Sequence, residues 1–429
     1  PAAGSTDTLD YAAYGRMVVI GHDPYVMTPQ QLRGLGDPVG RAAPVPWQRT
    51  HSVYGPLATI EQATAAELGG TSAGRIVFWL KLWNALAFGA VVLALDRLLR
   101  HDPGRRARAH LLWTVNPLLL WILLAGGHVD ALAAAAGFLG LIVAGDWVRA
   151  GPGGHGGHGR WRPGPEPGRA PEALRGLTAG ALIGAAADLK ITFVLFGLGL
   201  AWAARRSPRM LLASTAGALA VLVPSYLWFG PPALTVLAGH STSTGDNLYR
   251  VFVPGLGPGS PAWLAPVALA LFAAVALLLL RRLPGGYPGL PAVRPALILS
   301  LAWLLTWPYQ RPWYDAMMLC LLALPAGSRL DWPVLARLTA ATFYSVPGIP
   351  GRRIHWLHEV TRWSMLAGVP AVRLAALAAV IALCLTAAWY PGQQFRLRLP
   401  AWRRRYSLRA IQSISAGQRE AQSGGSVRR

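Results

Sequence analysis

Apolar residues run in long blocks through most of the chain, and from residue 76 onward those blocks hold few charges. Segments near 76–95, 111–125, 131–148, 177–203, 210–228, 263–280, 295–307, 315–327, 335–347 and 367–390 are predicted to be membrane-embedded helices. Trp263–Leu280 and Leu374–Tyr390 match the ~20 residues that a helix needs to cross a hydrocarbon core of roughly 30 Å. Ala, Gly and Pro inside the blocks suit close helix packing, and kinks whose freed backbone groups find partners on neighbouring helices. The stretch 177–203 differs. Two half-length apolar runs surround Asp188-Leu189-Lys190, with Arg175, Arg205, Arg206 and Arg209 at the ends, so it reads as a re-entrant hairpin or as two short tilted helices. The first 75 residues break the pattern by being polar and loop-like. They begin at Pro1 without the basic and apolar regions of a signal peptide, and a transmembrane helix upstream is expected to deliver them across the membrane.

Composition sharpens the class. The chain has 429 residues, 53% hydrophobic and only 14% charged, which a soluble domain does not need. The expected fold is an all-α integral membrane bundle of about 10–13 transmembrane or re-entrant helices. Three parts are expected: an outer catalytic loop over 1–75, a transmembrane domain over 76–390 with a low-complexity loop at 149–176, and a basic tail over 391–429. A net charge of +22 would suggest nucleic-acid binding in a soluble protein, whereas in a membrane protein its distribution sets orientation. If loops alternate sides, those at 96–110, 149–176, 204–209, 281–294 and 328–337 and the tail hold 27 Lys and Arg, against 10 for the other side. The basic side is then cytoplasmic, and 1–75, 229–262, 308–314 and 348–366 face outward. His155 and His158 sit in a Gly/Pro-rich stretch that reads as a flexible linker rather than a metal site, and Cys320 and Cys384 fall in apolar runs as packing residues.

Chemistry concentrates in the outward segment. Asp7, Asp10, Asp23, Asp37, Glu61 and Glu67 make up six of the 18 acids, and they lie among Tyr11, Tyr14, Tyr25, Trp47 and Tyr54 with Gly/Pro turns between. Such a mixture suits a carbohydrate site, where rings face sugar C–H surfaces and carboxylates take hydroxyls. It equally suits a belt of aromatics at the membrane boundary.

Several motifs carry a resemblance. Asp7 is followed by Tyr11-Ala12-Ala13-Tyr14-Gly15, then Gly21-His22-Asp23-Pro24-Tyr25 and Ser52-Val53-Tyr54-Gly55-Pro56-Leu57. Further on come Asn116-Pro117-Leu118, Gly127-His128-Val129-Asp130-Ala131-Leu132, Lys190-Ile191-Thr192, Arg311-Pro312-Trp313-Tyr314-Asp315 and Ser328-Arg329-Leu330-Asp331-Trp332. In order and placement, from residue 7 to about 350, the chain resembles the actinobacterial polyprenol-phosphomannose-dependent mannosyltransferases of the multi-span C-type glycosyltransferase fold. The resemblance implies a cell-membrane enzyme that moves a sugar, mannose in the family, from a polyprenyl-phosphate donor to a glycan or glycolipid acceptor. It also implies inversion, an extracytoplasmic site and a loop carboxylate as general base, with Asp7 at the family position and Asp10 as fallback. An outward carboxylate needs no tuning to be ionised near neutral pH. Sugar or acceptor contacts would come from Tyr11, Tyr14, Asp23, Tyr25, Tyr54, His128, Asp130, Trp313 and Tyr314. Where the family shows His-Asn-Asp this chain has His128-Val129-Asp130, one amide fewer.

A phosphate leaving group calls for cations. Lys190 leads, as an ionisable residue at membrane depth, with Arg250, Arg311 and Arg362 behind it and Arg352 and Arg353 nearby. The alternatives are that Lys190 pairs with Asp188 or snorkels, that Arg311 and Arg362 anchor at the interface, and that His128 and Asp130 cap a turn. No Walker-type loop, His-Glu-x-x-His helix or Gly-x-Ser-x-Gly elbow is present, and no residue pattern calls for a metal or cofactor. The rival reading is a polytopic transporter or lipid-linked sugar flippase, which would be expected to show repeats and broken helices meeting at the midplane. No internal repeat is visible, and a scaffold role leaves the acid- and aromatic-rich segment unexplained.

Overall fold

The structure is a computed structural model and describes residues 5–44, 47–145, 172–238, 247–256, 261–345, 359–360 and 362–390. The tail, Arg352, Arg353, His155, His158 and most of the loop at 149–176 lie outside them. Among the described residues the fold is all helical, with one isolated antiparallel bridge between Tyr287 and Leu290.

The N-terminal segment is not the loop its polarity suggests. It folds into α1 (Asp7–Val19), α2 (Pro29–Gly34), α3 (Pro38–Ala42) and α4 (Pro56–Gly69). Each of the last three starts with proline, whose fixed φ and missing N–H suit a first helical position. Thr28 and Gln31 form a reciprocal cap on α2, and the Asp37 carboxylate accepts from Val39 and Gly40 at the start of α3. These residues resemble turn formers in sequence because helix starts use the same types. α1 crosses α4 at Gly15, where a Cβ would lie 2.0 Å from the Gln62 carbonyl oxygen. Tyr11, Ala12, Val39, Ala65, Ala66, Ile76, Val77 and Leu80 close a small core beneath.

The apolar blocks fold as α5 (Ala73–Leu99), α6 (Pro103–Ala125), α7 (Asp130–Ala144), α8 (Glu172–Leu189), α9 (Ile191–Ala204), α10 (Pro208–Phe229) and α11 (Pro231–Ala238). After them come α12 (Leu264–Arg282), α13 (Val293–Thr306), α14 (Asp315–Leu322), α15 (Asp331–Ser345) and α16 (Leu366–Thr386). By length and composition α5, α6, α10, α12 and α16 can cross a membrane, and α7, α9 and α13 are shorter apolar helices. The chain is thus an all-α multi-span membrane protein. α10 and α12 turn Leu212, Leu227, Trp228, Val267, Leu269 and Leu277 outward, as lipid-facing helices do. α14 is buried at every residue from Asp315 to Leu322 and marks the centre of the bundle.

Two breaks position the site. In α6, Pro117 denies the helix an N–H and the Asn116 side chain accepts instead from Leu118 and Leu119, so this motif is an internal cap. Between α8 and α9, Lys190 is extended, at φ −153° and ψ 115°. Two helices joined at Lys190 therefore stand where the sequence left a hairpin or a tilted pair. One basic residue assigned to a loop is misplaced by that reading: Arg337 lies within α15, buried.

Candidate active site

The break at Lys190 delivers an ammonium group into the bundle, and the first residue of α7 answers it. Lys190 Nζ donates to Asp130 Oδ2 at 2.8 Å, with side-chain exposures of 7% and 1%. Asp188 is not the partner. It accepts from the Ser225 hydroxyl and from the Leu57 amide, 131 residues away in sequence, and so holds the start of α4 against α8. Gly55 is required there, since a Cβ would lie 1.8 Å from the Asp188 carbonyl oxygen.

Aromatic rings enclose the pair. Lys190 Nζ lies 3.9 Å from the Tyr314 ring centroid and 5.8 Å from that of Tyr54, close enough for cation–π attraction. The His128 ring stacks on Trp313 with centroids 3.7 Å apart, and its Nδ1 meets the Tyr11 hydroxyl at 3.1 Å. The Tyr11 and Tyr54 hydroxyls are 2.7 Å apart, so α1, the α4 approach and the α6–α7 turn are tied together by one polar chain. Its inner end retains capacity: among the described residues His128 Nε2 and Asp130 Oδ1 have no hydrogen-bond partner.

Asp7 opens α1 at the edge of this group. Burial raises its carboxyl above the ordinary carboxylate range, while Arg311, a Ser5 hydrogen bond, Lys190 and a Trp47 hydrogen bond pull it back down. Asp10 shares α1 but not those cations. It is 3% exposed, both its oxygens lack partners among the described residues, and burial, then the Asp7 charge, pushes it to about 8. The expectation of two untuned, solvent-facing carboxylates is therefore corrected, since desolvation dominates both. At neutral pH Asp10 is a neutral acid, and of the two Asp7 is the one whose ionised form is supported by cations.

The structure gathers Asp7, Tyr11, Tyr54, His128, Asp130, Lys190, Arg311, Trp313 and Tyr314, from α1, the α4 approach, the α6–α7 turn, the α8–α9 break and the 3-10 turn Pro312–Tyr314. The other candidates are placed elsewhere. The Tyr14 hydroxyl donates to the carbonyl of Thr50, and the Tyr25 hydroxyl to that of Tyr54, both rings being buried. The Asp23 carboxylate caps its own turn by accepting from the Tyr25 amide. Arg250 donates to Pro254 and Arg362 is exposed; among the described residues neither is placed with the gathered group. Val129, at the position of the missing amide, is buried in the apolar core. Among the described residues no group of three or more His, Cys, Asp or Glu is placed to hold a metal ion.

Sequence reasoning passed over Lys81, Gln310 and the roles of Arg337 and Arg373. Lys81 packs its stem on Gly127, beside Thr8 of α1, and an ionisable residue inside an apolar helix was the available signal. Arg373, inside the block at 367–390, carried the same signal.

Residues 2–206 match the family model for the alpha-(1->6)-mannopyranosyltransferase N-terminal domain. A probable alpha-(1->6)-mannopyranosyltransferase of Mycolicibacterium smegmatis is 32% identical over 145 residues, which is 34% of this chain and 25% of the relative. An alpha-(1->6)-mannopyranosyltransferase of Mycobacterium tuberculosis is 30% identical over 145 residues, 34% of this chain and 24% of the relative. Alpha-(1->6)-mannopyranosyltransferase B of Corynebacterium glutamicum is 25% identical over 371 residues, 80% of this chain and 59% of the relative. The chain thus spans about a quarter of the length of the two mycobacterial relatives and 59% of the corynebacterial one. No solved structure matches. The residue 2–206 match, just under half of the chain, contains Asp7, Tyr11, Tyr54, His128, Asp130 and Lys190, and over that part the chain is similar to the actinobacterial mannosyltransferases.

Proposed function

We propose that the chain is a membrane mannosyltransferase that moves mannose from a polyprenyl-phosphate donor to a glycan or glycolipid acceptor, inverting the anomeric carbon, at the outer face of the cytoplasmic membrane. The observation that carries this reading is the buried Lys190–Asp130 pair, ringed by Tyr54 and Tyr314, with Asp7 and Arg311 in electrostatic reach. A transfer of this kind needs one base at the acceptor and cations at the departing phosphate. Asp7 takes the proton of the acceptor hydroxyl, and that oxygen attacks the anomeric carbon from the face opposite the phosphate. The bond from that carbon to the phosphate oxygen breaks, its electron pair leaves with polyprenyl phosphate, and Lys190 and Arg311 offset the charge that develops. Burial favours the role of Asp7, because a base works best when its pKa is raised toward the working pH. Asp10, held in its protonated form by burial and by the Asp7 charge, is not the group that takes the proton.

The relatives' names give an α-(1→6) linkage, and the same linkage is proposed for this product. An inverting enzyme that makes an α bond consumes a β-linked donor. The test offers the purified full chain in detergent either radiolabelled β-linked polyprenyl-phosphate mannose or GDP-mannose, with an α-(1→6)-mannotriose acceptor. Transfer from the lipid donor alone, with an α-anomeric signal in the product, is expected. Transfer from GDP-mannose alone, or movement of lipid-linked sugar with no new glycosidic bond, would overturn the reading.

A further inference from the structure

Arg311, Trp313 and Tyr314 reach the site from a short connection between α13 and α14, and such a connection has little structure of its own to fix three large side chains. The fixing comes from beneath. Arg337, in α15 and only 3% exposed, spends each of its three donor nitrogens on a different part of that connection. Its Nε donates to the Leu304 carbonyl in the last turn of α13 at 3.1 Å, its Nη2 to the Gln310 side chain in mid-connection, and its Nη1 to Asp315, the first residue of α14. Gln310 passes the restraint on, donating to the Trp303 carbonyl at 2.8 Å. From α16, Arg373 donates to the Trp307 carbonyl at 2.7 Å, and its charge acts on Asp315 as well.

A buried ion pair is a poor source of stability, since desolvation offsets most of the attraction and an apolar replacement of like volume serves as well. What a guanidinium supplies is a rigid planar fork with fixed donor directions, which a lysine lacks. We propose that Arg337 is the positioning residue of the Arg311–Tyr314 turn. It fixes the entry, middle and exit of the turn so that Arg311 bears on Asp7, Trp313 stacks on His128 and Tyr314 covers Lys190. Arg337 touches none of these three partners, and its consequence for turnover rests on the transferase reading above, whereas its geometric consequence does not. The C-terminal helices α15 and α16, beyond residues 2–206, thereby take part in the site.

The experiment uses hydrogen–deuterium exchange on the full chain in detergent, followed by transfer kinetics, for wild type, Arg337→Lys and the double change Arg337→Met with Asp315→Leu. The double change removes both charges and so avoids stranding one of them. Expected are faster exchange confined to 305–314, unchanged exchange in α5 and α7, and a kcat reduced by roughly 10²-fold with a smaller change in KM, as for a misplaced group. Arg337→Lys keeps the charge opposite Asp315 but reaches fewer acceptors, and it should show an intermediate loss in both readouts. Should the double variant fail to fold, Arg337→Lys decides by the same measurements. Exchange at 305–314 equal to wild type overturns the proposal, as does an exchange increase spread evenly over the molecule. If wild type forms no glycosidic bond, the transferase reading fails, and the exchange pattern still decides the role of Arg337.

Discussion

At the residue scale, the proposed site turns on two carboxylates of one helix that end up in different electrostatic surroundings. Asp7 lies within the influence of Arg311 and Lys190, whereas Asp10 three residues on is raised by burial and by the Asp7 charge. Asp7→Asn keeps the shape and removes the base, so transfer should fall roughly 10²–10⁴-fold at unchanged expression. Asp10→Asn should cost less, and the double change little more than Asp7→Asn alone, because the two act as a unit. A dead Asp10→Asn beside an active Asp7→Asn would shift the base by one helical turn. The acid limb of the rate profile should lie above the ordinary carboxylate range, because burial raises Asp7. Asp10 has its own signature. Its folded value of about 8 lies above the ordinary carboxylate range, so the folded state holds the proton more tightly than the unfolded chain does. The stability this contributes is full at low pH and is lost as pH rises through about 8. Thermal midpoints in detergent taken from about pH 6 to about pH 9 should fall in wild type and flatten in Asp10→Asn. For Lys190, replacement by Ala should cut turnover heavily and replacement by Arg should retain part, since a displaced cation still offsets leaving-group charge. Equal loss in both would assign Lys190 to holding Asp130 in place. These chemical types stood out in sequence because charge is costly in an apolar run. Their partners did not: Asp188 and Lys190 are two residues apart yet face Ser225 and Asp130, and only the helix break decides that.

At the element scale, the long spans were legible because uninterrupted hydrophobicity over about 20 residues has few other readings. The four outer helices were not. Their proline and cap residues are those of turns, and the packing of α1 on α4 is a long-range contact that no local pattern announces. The contact of α8 with α10 was equally hidden. Gly176, Gly180 and Gly184 recur every fourth residue on α8, and α10 answers with Ser214, Gly217 and Ala218. Added Cβ atoms at Gly180 and Gly217 would lie 1.9 Å and 2.1 Å from backbone oxygens of the facing helix. No rotamer relieves a clash with backbone, so Gly180→Val should spread the helices, lower the thermal midpoint and disturb Lys190 at the end of α8. Gly89→Ala in α5 is the control. A Cβ there meets nothing within 4 Å, and the change should stabilise by about 0.5–1 kcal/mol through helix propensity alone. A Gly180→Val midpoint equal to that of wild type would mean that α8 and α10 do not pack this closely.

At the scale of the whole molecule, α1–α4 and the site are proposed to lie outside the cytoplasmic membrane and the α9–α10 connection inside. Cys320 and Cys384 are buried, which leaves a low background for labelling of introduced cysteines. In intact cells an impermeant maleimide should label His22→Cys and spare Arg206→Cys, both positions being exposed in the structure. Labelling of Arg206→Cys from outside would reverse the orientation and detach the site from an outward-facing donor. The orientation is proposed from the basic loops, although Arg337, counted among them, belongs to the interior. The central claim, that this bundle joins a sugar to an acceptor using Asp7, is met most directly by one assay. Wild type and Asp7→Asn, purified to equal amounts in detergent, are given radiolabelled β-linked polyprenyl-phosphate mannose and α-(1→6)-mannotriose, and labelled tetrasaccharide and released polyprenyl phosphate are counted together. Equal amounts of the two products are expected from wild type, with a loss of both by roughly 10²-fold or more in Asp7→Asn. Donor consumed by neither protein, or tetrasaccharide formed at the same rate by both, would contradict the claim.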